Sequence, residues 1–143
     1  MIYLHNSDLG HHGNLRSSNC VVTSRWTLQV ADFGLHELRF ASENSETSSG
    51  CEKEKINKLL WKAPEVLRDM KEGGLGRGSQ KGDVYSFGII LFEIYGRQGP
   101  YGDELREQMS ENEIINLIID GDEEMRPNID VLRDVAESMD TEV

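Results

Sequence analysis

Between Val84 and Tyr95 the chain is apolar at nearly every position, broken only by Ser86, Gly88 and Glu93. If helical, such a segment has no polar face to give to water, so it calls for enclosure by the other elements of one domain. Gly96 marks its end. The 143 residues suffice for one ordinary domain, and 37% hydrophobic with 29% charged side chains is the balance of a soluble globular chain. No uncharged apolar run reaches the roughly 18 residues of a membrane span. The opening Met1-Ile2-Tyr3-Leu4 also lacks the basic flank and cleavage site of a signal peptide. Direct membrane insertion by this stretch is therefore not expected.

The formal charge of −11 is unevenly placed. Residues 1–102 hold 12 acidic and 12 basic side chains, whereas residues 103–143 hold 14 acidic and three basic. An acidic end is repelled by phosphate backbones and anionic lipid surfaces, which argues against nucleic acid as a partner. The run Asp120, Asp122, Glu123, Glu124 lacks the other oxygen ligands of an EF-hand and reads as a solvated loop. Cys20 and Cys51 have neither CxxC nor Cys/His spacing, so no zinc site or disulfide framework is indicated. A reducing cytosol fits.

Ile2, Tyr3 and Leu4 read as the last turn of a helix stopped by the His5, Asn6, Ser7, Asp8, Gly10 cluster. Residues 20–33 predict a β-hairpin. Cys20-Val21-Val22 lead into a turn at Thr23-Ser24-Arg25, and Trp26, Leu28 and Val30 alternate on the return strand. Residues 43–58, rich in Ser, Glu and Lys, read as a mobile surface loop, and residues 71–82 as a second irregular stretch. Gly73, Gly74, Gly76 and Gly78 fit neither GxGxxG nor GxxxxGK spacing and are expected to form a flexible connector. Pro64 suits the first turn of a helix, and Ser110 with Glu113 is a capping box ahead of Ile114 and Ile115. A last helix would place Ile129, Leu132, Val135, Ala136 and Met139 on one face.

Three short motifs follow one another: His12-Gly13-Asn14-Leu15-Arg16-Ser17-Ser18-Asn19, then Asp32-Phe33-Gly34, then Ala63-Pro64-Glu65. In series, with a hairpin between the first two, they resemble the catalytic loop, metal-binding loop and activation-segment end of protein kinases. Asp83-Val84-Tyr85-Ser86-Phe87-Gly88 resembles the start of that family's central helix, whose aspartate ties down the catalytic loop. The resemblance implies a mainly α fold with a small β-hairpin, a partial kinase-like C-terminal lobe. It divides residues 1–143 into a catalytic-loop region (11–20), a metal-loop motif (32–34), an activation segment (32–65), a central helix (83–95) and an acidic C-terminal part (103–143). The Gly-rich loop, strand lysine and partner glutamate of a nucleotide-binding N-terminal lobe do not precede His12.

Phosphoryl transfer needs a carboxylate on magnesium, an amide oxygen on a second metal, and a base facing the substrate hydroxyl. By the resemblance Asp32 and Asn19 supply the first two, with Arg16 near the transferred phosphate. The third position holds Asn14, an amide that is essentially non-basic, so a general-base factor of roughly 10²–10⁴ is missing. Gly13 replaces the arginine that clamps an activation-loop phosphate. His12, Phe33, Gly34, Glu65 and Asp83 are expected to be structural, with His12 packed beneath the metal-binding loop. The arginine that pairs with Glu65 in the family is absent, and a buried Glu65 without it would cost several kcal/mol.

The resemblance narrows at residues 12–26, HGNLRSSNCVVTSRW, with Leu60-Trp61-Lys62-Ala63-Pro64-Glu65, residues 78–91 and Gly99-Pro100-Tyr101. These are similar to the kinase-homology domain of receptor guanylyl cyclases. The implied function is a regulatory pseudokinase segment in cGMP signalling, on the cytoplasmic side of a membrane receptor. Its partners would be the cyclase and transmembrane parts of a parent that is a homodimer. ATP and magnesium would belong to the intact domain, with no cofactor expected for this stretch alone. The alternatives are a phosphotransferring kinase domain, and a truncated interaction piece acting through its acidic tail.

Overall fold

The computed structural model describes residues 2–34 and 52–121. Their fold is mainly helical with one two-stranded antiparallel sheet, the class the sequence implied. The expected helix around Ile129–Met139, Cys51 and residues 43–51 of the expected loop lie outside the described residues.

Helix α1 (Ile2–His5) is one turn, ended where Ser7 Oγ donates to the Leu4 carbonyl at 2.7 Å. A 3₁₀ turn, Ser17–Asn19, leads into strand β1 (Cys20–Val22), which pairs with β2 (Leu28–Val30) in the register Cys20↔Val30, Val22↔Leu28. The turn is longer than expected. Thr23 N pairs with the Thr27 carbonyl, Trp26 N donates to the Thr23 carbonyl, and Trp26 sits at φ 58°. A type I turn followed by one left-handed residue matches strand twist, so Trp26 belongs to the turn rather than to the return strand.

Residues 52–58 correct the mobile-loop expectation. Helix α2 (Glu52–Asn57) runs into a 3₁₀ turn, Lys58–Trp61, and Ile56 packs against the core. Glu and Lys are good helix formers, so composition alone did not separate a solvated helix from a loop. Helix α3 (Pro64–Lys71) starts with proline at its first position. Asp69 then gathers the glycine connector, accepting from Gly76 N at 2.8 Å through its side chain and from Gly74 N at 2.8 Å through its carbonyl. A Cβ on Gly78 would stand 2.4 Å from the Gly13 Cα. The connector is thus pinned at both ends, where flexibility was expected.

Helix α4 (Gln80–Gly96) is capped by Ser79 and buries Gly82, Asp83, Ser86, Gly88, Ile89 and Ile90. The expectation of all-round enclosure fails. Val84, Phe87, Ile94 and Tyr95 are between 48% and 67% exposed, and with Leu91 they form one apolar stripe along the helix. Apolar residues are favoured inside, but their pattern does not guarantee a cover. The core sits elsewhere, where Leu60 and Leu67 meet Ile114, Ile115 and Ile118 of α6 (Glu111–Asp120). A short helix, α5 (Asp103–Gln108), precedes α6.

Helix α6 carries the capping box read from sequence. Ser110 Oγ accepts from Glu113 N, and the Glu113 carboxylate accepts from Ser110 N at 2.8 Å. Ser110→Ala should cost about 1 kcal/mol of stability, read as a shift in the urea midpoint with an unchanged slope.

Candidate functional site

The site is assembled on α4. Asp83, 2% exposed, accepts from His12 N (2.7 Å) and His5 Nε2 (2.8 Å) through Oδ2, and from Gly13 N (2.8 Å) through Oδ1. Three donors from two segments therefore converge on one carboxylate. Gly13 lies at φ 69°, a left-handed conformation that glycine adopts without cost. Together with the close approach of Gly78, this leaves little room for an arginine there.

His12 is fully buried. Its Nδ1 accepts from Asn14 N at 3.2 Å, so its Nε2 carries the proton and donates to the Ala31 carbonyl at 3.0 Å. The ring meets Phe33 edge-on at 6.1 Å. Both nitrogens are committed to backbone, which is the geometry of a packing histidine rather than a metal ligand. Phe33 itself is 45% exposed. Gly34, at φ 73°, leaves a space that a Cβ would fill only by coming within 2.9 Å of Leu9.

Asn14 joins the two motif loops. A carboxylate only accepts, so the Asn14 amide faces Asp32 with its nitrogen, donating to Oδ2 at 2.5 Å. The Asn14 carbonyl accepts from Asn19 Nδ2 at 2.8 Å. Asp32 is half-buried at φ 64°, and Asn19 is buried. Arg16 is half-buried ahead of the 3₁₀ turn, with its carbonyl accepting from Asn19 N at 3.0 Å. Asp32 and Asn19 thus touch a common residue, and both offer the hard oxygen atoms that magnesium prefers. They fit that ion as donors in kind. Among the described residues there is no group of three or more His, Cys, Asp or Glu side chains that could hold a metal.

Glu65 is exposed on the first turn of α3. The cost foreseen for a buried Glu65 without an arginine therefore does not arise, because water solvates the carboxylate.

Sequence reasoning passed over Glu93. From α4 it accepts from Ser17 Oγ at 3.1 Å and from Trp61 Nε1 at 2.8 Å, while Ser86 Oγ, two turns earlier, donates to the Trp61 carbonyl at 2.7 Å. Partial burial pushes the Glu93 carboxyl above the usual carboxylate range, against the opposing pull of the Trp61 and Ser17 donors. Burial also raises the Cys20 thiol, with Glu93 adding to it. The signal was a single carboxylate inside an apolar helix, a residue type that is seldom buried unless partnered. Lys62 Nζ completes the tie, reaching the Gly13 carbonyl at 3.3 Å. Helix α4 thereby fixes His12, Gly13, Ser17 and Trp61 together, with Lys62 joining the two segments directly.

The family profile of protein tyrosine and serine/threonine kinases matches residues 1–141. The chain is 48% identical over 134 residues to the receptor-type guanylate cyclase Gyc76C of Drosophila melanogaster, covering 91% of this chain and 8% of that protein. It is 52% identical over 118 residues to guanylate cyclase 32E of the same species, covering 82% and 9%. With the human atrial natriuretic peptide receptor 2 it shares 42% identity over 131 residues, covering 91% and 12%. The chain therefore spans only a small part of the length of these relatives.

Proposed function

Since the chain belongs to the protein tyrosine and serine/threonine kinase family and its relatives are receptor-type guanylate cyclases, we propose that it is a regulatory kinase-homology segment without phosphotransfer. The observation that carries this reading is the Asn14 side chain. At the position where the family pattern has its base, an uncharged amide points its N–H groups at Asp32. It has no proton-accepting role to offer a substrate hydroxyl.

In the parent this segment would pass receptor state to a cyclase, on the cytoplasmic side of the membrane and within a homodimer. The tie between residues 12–17 and Trp61 through α4 supports such a relay, because rigid elements transmit small displacements. Among the described residues no helix is long and apolar enough to cross a membrane. ATP with magnesium would be held in the intact domain by Asp32 and Asn19, with Arg16 close to the phosphates. The ion would supply charge neutralisation there. The competing reading, an active kinase, rests on the family match.

Purified chain and intact parent, each as wild type and as Asn14→Asp, should be assayed for transfer of labelled phosphate to peptide. Wild-type proteins are expected to remain at background while the parent still makes cGMP. Transfer by either wild-type protein would overturn the proposal.

A further inference from the structure

We propose that Asn14 stands in for a cation, so that the 12–19 loop and the Asp32–Gly34 turn assemble without divalent metal. Asp32 holds a carboxylate, half-buried and at a left-handed backbone angle, against the side chain of Asn14 in the 12–19 loop. A carboxylate so placed needs donors or positive charge beside it. The Asn14 amide supplies a donor from its nitrogen, while its backbone carbonyl engages Asn19. The residue thus meets the Asp32 carboxylate with an N–H donor, the part that a positive charge would otherwise play there.

An aspartate at position 14 would reverse this. Its oxygens would replace the Nδ2 donor at hydrogen-bond distance from Asp32 Oδ2, setting two like charges together at a partly desolvated site. The loop would then depend on a cation to close. Asn14 makes that dependence unnecessary, and it does so whether or not the parent transfers phosphate. Failure of this inference therefore leaves the reading of function untouched.

The test is thermal unfolding of the full chain, wild type, Asn14→Asp and Asn14→Leu, in EDTA and in excess magnesium chloride. The Asp variant should melt roughly 4–8 °C below wild type in EDTA and recover most of the loss with magnesium. The wild-type curve should not move with the ion. Asn14→Leu removes the donor without adding charge, so it should be destabilised and gain nothing from magnesium. Manganese binding followed by electron paramagnetic resonance gives a readout that needs no cooperative melt: Asn14→Asp should bind at least about tenfold more tightly than wild type. A wild-type melt that rises with magnesium as far as that of the Asp variant would overturn the inference. So would equal manganese affinity in the two proteins.

Discussion

Replacing Asp83 with alanine should destabilise the protein by about 3–5 kcal/mol, a large share of the roughly 5–15 kcal/mol that holds a domain of this size together. The loss follows from geometry. Asp83 is the acceptor for His12 N, Gly13 N and His5 Nε2 at 2.7–2.8 Å, and at 2% exposure no bulk water is at hand to replace it. Each orphaned buried donor costs about 1–3 kcal/mol by itself. Urea unfolding would measure the total, and hydrogen exchange would localise it, since the amides of His12 and Gly13 should lose protection first. Asp83→Asn should lose less, because its remaining carbonyl keeps one side of the network. An Asp83→Ala protein with a wild-type midpoint would mean that the loop is held by something else.

Leu60→Ala should be comparably severe, at about 2.7–5 kcal/mol. Leu60 is 0% exposed and packs among Leu67, Ile114, Ile115 and Ile118, on a 3₁₀ turn tied through Trp61 to α4. Its removal opens a cavity between elements that cannot easily close on it. The two substitutions should differ in kind. Leu60→Ala lowers protection throughout α3 and α6, whereas Asp83→Ala acts first on residues 11–14.

The features legible in the sequence were local ones. The hairpin, the Ser110–Glu113 capping box, Pro64 at a helix start and the helix stop, which falls after His5 rather than before it, each depend on residues within a few positions of one another. They were written in turn and cap chemistry. The fold class followed from them and from the order of the motifs. What escaped was set by partners far away in the chain. Helix α2 looked like a loop because its one apolar residue, Ile56, takes its meaning from the Leu60 and Ile114 core. The stripe Val84, Phe87, Leu91, Ile94 read as buried because periodicity states what a face is made of, not what lies against it. In the site, position 14 was legible as an amide that cannot act as a base. Its bond to Asp32, 18 residues on, was not. Nor was the role of Glu93, which joins Ser17 and Trp61 across separations of 76 and 32 residues.

The two tryptophans stand in opposite surroundings. Trp26 is 90% exposed at the hairpin tip, while the Trp61 indole N–H is held by Glu93 beside the core. Their emission is accordingly separable: iodide reaches the first ring from solution, and the second reports on whether the loop, the helix and the segment before Ala63 are still clasped. The molecule therefore carries its own optical gauge of that clasp, readable without any attached dye.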